Sequence, residues 1–222
     1  MDDIDAIAVL QDPVRRRLYE YVAAQGREVG RNEAAEAAGV TRTLAAHHLD
    51  RLTEAGLLDS GSRRLTGRTG PGAGRPAKVY TRARTERSVS LPARDYRTAA
   101  ELLAEAAEQA GLDVPLREAA RRRGESLRGS AAPCGSLDEA KEMLAARGYE
   151  PHEEEAEGAP RVVRMRNCPF HDVAERFPPL VCGMNLALLE GLFGADGPVA
   201  ARMDARPGEC CVVVEDSKNK DD

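Results

Sequence analysis

The sequence predicts an α+β fold, on three observations. Apolar residues at helical spacing, interrupted by a turn at Gly39-Val40, run through residues 4–55. A Gly/Arg-rich loop between two strand-like runs follows them. The second half then alternates helical stretches with short β-branched runs. With 222 residues, 42% of them hydrophobic and 31% charged, the chain has enough apolar content to bury a core in one or two domains.

In chain order, Ile4, Ile7, Ala8, Val14, Leu18, Tyr21 and Val22 keep helical spacing, and Asp12-Pro13 starts a second helix. Proline suits a first turn because its missing N–H costs nothing there. Asn32 is expected to cap a short helix, Glu33 to Ala38, closed by Gly39. Thr41 caps a third helix that runs to about Ala55 and stops at Gly56. Helix, turn and helix at this spacing make a helix-turn-helix. Leu57-Leu58, the Gly/Arg loop and Ala77-Lys-Val-Tyr-Thr81 make a β-hairpin wing. A longer helix, about Asp95 to Ala110, carries the apolar stripe Leu102, Leu103, Ala106, Ala107 and Ala110, ended by Gly111.

The second half starts with a helix over about Pro115 to Arg128, then a linker from Gly129 to Pro133. Ser136 starts a helix over Leu137 to Arg147, with Leu137, Ala140, Met143 and Leu144 inward. Tyr149 to Glu155 and Pro160 to Arg166 read as strands. A mostly apolar helix, Pro179 to Phe193, and a last strand, Cys210 to Val214, follow. The expected division is therefore an N-terminal winged helix-turn-helix DNA-binding domain (1–90) and a helical linker with the long dimerisation helix (91–130). A C-terminal cysteine-bearing α+β sensor domain (131–215) and a disordered tail (216–222) complete it.

The net charge of −5 conceals polarity. Residues 60–87 hold eight basic side chains against Glu86, whereas 138–157 hold eight acids against two bases. A basic footprint on one module and a solvated, DNA-repelling face on another is the expectation. The start, Met1-Asp-Asp-Ile-Asp, is acidic where a secretory signal is basic and then apolar. The apolar stretch from Leu180 to Phe193 is broken by Gly183, Asn185, Glu190 and Gly191 and is shorter than the roughly 20 residues of a membrane span. A cytoplasmic protein with reduced thiols and no membrane contact is expected, and there clustered cysteines point to metal or redox chemistry.

On the third helix Ala45, Leu49 and Leu52 share an inward face, while Thr43, His47 and either Asp50 or Arg51 share another. A recognition helix needs that division. Thr41 and Arg42 add polar groups at its start, Arg42 within reach of a phosphate or a guanine edge. Of the pair His47-His48, one faces DNA and the other packs on the core, since adjacent helical residues point about 100° apart. In the wing, Arg75 is held extended by Pro76 and suits a narrow minor groove. Arg64, Arg68 and Lys78 are placed to neutralise phosphates of a double-stranded operator.

Five cysteines exclude a complete internal disulfide set. Cys134 sits alone, while Cys168, Cys182 and Cys210 are separated by 13 and 27 residues, with Cys211 adjacent. No CxxC is present, so a zinc ribbon is not expected. If strand end, helix and strand start pack as one layer, three thiolates can share a site. Catalysis is not expected: no phosphate-binding glycine motif, nucleophile elbow or HExxH occurs.

Thr41 to Leu58, Thr-Arg-Thr-Leu-Ala-Ala-His-His-Leu-Asp-Arg-Leu-Thr-Glu-Ala-Gly-Leu-Leu, resembles the recognition segment of ArsR-type winged-helix bacterial transcriptional regulators. Gly74-Arg-Pro-Ala-Lys-Val-Tyr80 and the spaced cysteines resemble the SufR-like subgroup, repressors of iron–sulfur cluster assembly operons. The first cysteine spacing is one residue longer than in that subgroup, and Cys211 is an extra thiol. The resemblance implies a homodimeric repressor on an inverted-repeat operator. It also implies that Cys168, Cys182 and Cys210 hold a 4Fe–4S or 2Fe–2S cluster, the loaded form repressing. The fourth ligand stays open: a carboxylate, water, Cys211, or His171, which would complete a Cys₃His zinc site. The alternative is a winged-helix regulator that responds to an organic effector, zinc or thiol oxidation without a cluster.

Overall fold

Asp2 caps the first helix, α1 (Asp3–Ala8), its carboxylate accepting from the Asp5 N–H at 2.8 Å. The structure is a computed structural model that describes residues 2–63, 76–154 and 161–217. The chain divides into two compact units, Met1–Arg94 and Asp95–Asp222.

In the first unit a 3-10 turn, Val9–Gln11, leads to α2 (Pro13–Gln25). Asp12 caps α2 through the Val14 and Arg15 N–H groups, with Pro13 in the first turn as expected. After β1 (Val29–Gly30), α3 (Arg31–Ala38) starts one residue before the expected cap. Gly30, not Asn32, is its N-cap, because the helix springs straight off the strand and no side chain caps it. Gly39, left-handed at φ 65°, ends α3 and turns the chain to Thr41. Thr41 Oγ1 then accepts from the Leu44 N–H at 3.3 Å and opens α4 (Arg42–Glu54).

The hairpin follows as β2 (Leu58–Arg63) and β3 (Ala77–Arg82), antiparallel with Leu58 opposite Arg82 and Arg63 opposite Ala77. The short β1, not anticipated, pairs with the other edge of β3, giving the order β1-β3-β2. Residues 64–75, and with them Arg64, Arg68 and Arg75, lie outside the described residues. Leu18, Val22, Leu49, Leu52, Leu58 and Tyr80 form the heart of the core. The expected helical spacing of Ile4 and Ile7 falls in α1, where both are exposed and only Ala6 is buried.

The second unit contains α5 (Tyr96–Gln109), α6 (Asp113–Arg128), α7 (Leu137–Ala145), β4 (Pro151–Glu154), β5 (Val162–Met165) and α8 (His171–Arg176). It ends with α9 (Pro178–Phe193), β6 (Val199–Met203) and β7 (Val212–Asp216). Its strands form an antiparallel sheet in the order β4-β5-β7-β6. The strand β6 was not expected, because Ala200 and Ala201 carry little β propensity and pairing with β7 supplies the stabilisation. The last strand extends to Asp216, paired with Val199, so the tail does not begin at 216. Residues 218–222 lie outside the described residues.

Leu144, Val163, Met165, Leu192, Val212 and Val214 make the core between the helices and one sheet face. On β5, Arg164 is buried between those two apolar positions in sequence and binds Glu154 (2.7 Å) and Asp204. The acidic run is thus not simply a solvated face. Glu153 pairs with Lys141 and Arg161, and Glu154 with Arg164 and Arg206.

Within the segment 91–130, α5 and α6 belong to the second unit. The α5 stripe splits: Ala107, with Ala104 from outside the stripe, packs on the cluster of Phe177, Leu180 and Val181, while Leu102 (61% exposed) and Leu103 (72%) face outward. Among the described residues no helix is long and apolar enough to cross a membrane.

Candidate functional site

Two places concentrate the expected functional residues: the outer face of α4 and the turns around the cysteines. Along α4, Ala45, Leu49 and Leu52 are buried, and Thr41, Arg42, Thr43, His47 and Arg51 are exposed. The apolar positions recur every three to four residues, so burying them forces the polar set outward. The two histidines separate as expected. His47 is exposed, and His48 is 7% exposed, its pKa lowered by burial. Arg51 is tied to Glu54 at 3.0 Å, one turn on along the same face.

Asp50, which spacing left undecided, turns toward the hairpin. Its carboxylate accepts from Lys78 Nζ (2.8 Å), the Tyr80 hydroxyl (2.7 Å) and Arg31 (3.2 Å), and Arg31 Nε donates to the Tyr80 oxygen at 2.9 Å. This network joins α3, α4 and β3. It places Lys78, expected on phosphate, in an ion pair within the unit. Arg31 and Tyr80 were missed by the sequence reading; the only signal was a tyrosine amid charged neighbours on the returning strand. Burial works against the Asp50 charge, but the Lys78 and Tyr80 hydrogen bonds outweigh it and hold the carboxyl below its ordinary value. The Tyr80 phenol, buried beside that carboxylate, is pushed up to about 12.

Asp50→Asn is expected to destabilise the first unit by only about 0.5–1 kcal/mol, because the carboxylate is 40% exposed and screened. A carboxyl whose folded pKa lies below its unfolded value stabilises fully above about pH 4, and the contribution is lost as pH falls through the folded value. The Asn variant therefore shows a shallower acid limb in urea midpoints measured against pH. An acid limb identical to the parent's contradicts this account.

The cysteines of the second half converge. Cys168 lies in the turn between β5 and α8, Cys182 near the start of α9, and Cys210 and Cys211 just before β7. A backbone hydrogen bond from Cys210 N to Met165 O, at 2.9 Å, brings the 210 turn to the end of β5. Cys168 packs against the buried cluster that includes Cys210, and Cys182 Sγ lies 2.9 Å from Cys211 Sγ. Asn185, one turn along α9 from Cys182, donates to Cys210 Sγ at 3.4 Å and accepts from the buried Tyr149 hydroxyl at 2.5 Å. Asn185 stands out in the sequence as a polar break in an apolar helix, and its partners are the reason it is tolerated there.

The neighbouring Cys168 thiol draws the Cys210 thiol down to about 7, while the same neighbour and burial push Cys168 up. Burial, then the contact with Cys211, pushes Cys182 up to about 12. His171 is exposed and its Nε2 lies 3.2 Å from Glu175, turned to its own helix. Cys211 is half-buried within the cluster. Cys134 is buried elsewhere in the core, its pKa raised by burial, its thiol donating to Ser136 O at 3.4 Å.

The donor chemistry, four thiols from three segments, fits a thiophilic metal or an iron–sulfur group. Cys182 and Cys211 stand as a close pair, and among the described residues no three or more His, Cys, Asp or Glu side chains are arranged to hold a metal ion.

Residues 10–61 match the family model of a helix-turn-helix domain. The first unit carries a helix-turn-helix domain. The match spans α2, α3 and α4 and ends in β2. That assignment supports a DNA-binding transcriptional regulator. No curated protein and no solved structure matches the chain.

Proposed function

We propose that the protein is a homodimeric transcriptional repressor that binds an inverted-repeat operator through α4 and the wing. The observation that carries the DNA part is the division of α4 within the helix-turn-helix domain: a buried apolar face, with Arg42, Thr43, His47 and Arg51 presented outward. Two such helices address half-sites about one helical turn apart. The exposed leucines of α5, Leu102 and Leu103, with Ala106 and Ala110 on the same side, are the apolar surface available for pairing two copies.

Control lies with the cysteines. Cys168, Cys182 and Cys210 would hold an iron–sulfur cluster, with Cys211 as the nearest candidate for a fourth ligand. Bound there, such a cluster supplies a redox-sensitive link between β5, α9 and β7. Asn185 and Tyr149 keep the Cys210 sulfur oriented by the hydrogen bonds given above, and burial excludes water from it. A ligand shifts an equilibrium only by its differential affinity for two states, so the loaded form must bind the operator more tightly than the empty one.

The test is anaerobic purification with iron and sulfide analysis, followed by selection of binding sites from a random duplex pool. Brown protein with bound iron and sulfide, lost in Cys168→Ser, Cys182→Ser and Cys210→Ser, is the expected result, together with an inverted repeat in the selected DNA. Colourless, iron-free protein overturns the cluster, and failure to select any duplex overturns the DNA reading.

A further inference from the structure

One close pair stands out among the four clustered thiols. Cys168 packs on the buried cluster that holds Cys210, whose sulfur is 3.4 Å from the Asn185 amide, and Cys210 is nearly fully buried. Cys182 and Cys211 face each other at 2.9 Å. Cys211 is only half-buried, so one member of this pair is open to solvent while its neighbour is shielded. Closing the pair to the roughly 2.05 Å of a disulfide needs a shift of about 1 Å. Cys182 is fixed on α9, but Cys211 ends the β6–β7 connection, held through its carbonyl by the Asp204 N–H at 2.8 Å, and its side chain can follow. The neighbouring Cys210–Cys211 bond is disfavoured, because adjacent residues reach disulfide geometry only with strain.

We propose that Cys182 and Cys211 form an oxidisable dithiol, a peroxide-reactive site in which Cys211 is attacked first and Cys182 resolves it. The Cys211 sulfur attacks one oxygen of hydrogen peroxide. The O–O bond breaks, leaving a sulfenic acid on Cys211, and the departing hydroxide takes up the thiol proton as water. The Cys182 sulfur then attacks the Cys211 sulfur, the S–O bond breaks, and the second oxygen leaves as water with the Cys182 proton. Two thiols have lost two electrons and two protons, and one peroxide has become two waters. The disulfide ties α9 to the entry of β7. If the cluster reading holds, it also removes Cys182 from the donor set; that consequence rests on the cluster reading, whereas the dithiol does not.

The experiment uses full-length, chelator-treated, reduced protein exposed to equimolar hydrogen peroxide, quenched with an alkylating agent and mapped by mass spectrometry without reduction. The expected main product is a crosslink between the peptides holding Cys182 and Cys211, with Cys134, Cys168 and Cys210 alkylated. In Cys182→Ser the sulfenic acid on Cys211 persists and is captured by a dimedone-type probe, and in Cys211→Ser the crosslink is lost. A main product linking Cys168 to Cys210 or Cys210 to Cys211, or four thiols that all remain alkylatable, overturns the proposal. Absence of iron in the anaerobic preparation sinks the cluster alone and leaves this result untouched.

Discussion

Gly191→Ala is expected to destabilise the second unit by about 1–3 kcal/mol or more, toward the severe end for overpacking. A Cβ at Gly191 would press on the carbonyl of Arg121 in α6, 3.0 Å from its carbon and 3.1 Å from the Glu125 nitrogen. A Cβ at Gly124 would meet α9 reciprocally, 2.7 Å from the Leu192 nitrogen and against the Leu188 carbonyl. The obstacles are backbone atoms of two helices, so no rotamer change relieves them. The helices must move apart and give up the packing between them. Gly183→Ala on the same helix is the control, because its Cβ would meet only the flexible Arg117 side chain, Cδ at 3.5 Å and Cγ at 3.9 Å. It should gain up to about 1 kcal/mol from helix propensity. Urea midpoints of the two variants should therefore move in opposite directions; a Gly191→Ala midpoint at or above the parent's contradicts the close crossing.

Leu49→Ala is expected to cost about 2–5 kcal/mol in the first unit, through lost burial and the cavity left behind. Leu49 is fully buried and sits on α4 opposite the exposed polar set. Native domains have only about 5–15 kcal/mol in hand, so this one change can leave much of the unit unfolded at 37 °C. Arg42→Ala separates folding from contact. Arg42 is exposed, so its loss should leave stability within about 0.5 kcal/mol, while lowering duplex affinity and reducing the salt slope by about 1. Circular dichroism melts and a salt titration of duplex binding check both variants. A normal melt for Leu49→Ala, or an unchanged slope for Arg42→Ala, refutes the corresponding role.

The helix-turn-helix was legible because its signals are local. Asp12 and Thr41 cap their own helices, Gly39 supplies the left-handed turn, and the period of Ala45, Leu49 and Leu52 fixes the inward face of α4. Where pairing between distant segments decides, the sequence was silent. The two-residue β1 and the alanine-bearing β6 exist because β3 and β7 offer them partners. The N-cap of α3 moved from Asn32 to Gly30 for the same reason, since a strand ends where that helix begins.

The cysteines show the same boundary. Their spacing marked Cys168, Cys182 and Cys210 as a group, but not which sulfur faces which. Composition and period determined by themselves that this chain has a basic hairpin behind an amphipathic helix, and thiols crowded in its last quarter, because those properties are carried by residues close in sequence. Only the tertiary structure decided that Asp50 binds Lys78, Tyr80 and Arg31, that Arg164 is buried among acids, and that Cys182 meets Cys211. Each of those contacts joins residues 10 or more positions apart, most of them far more. Their partners are chosen by how strands register and helices pack, and no local pattern encodes that choice.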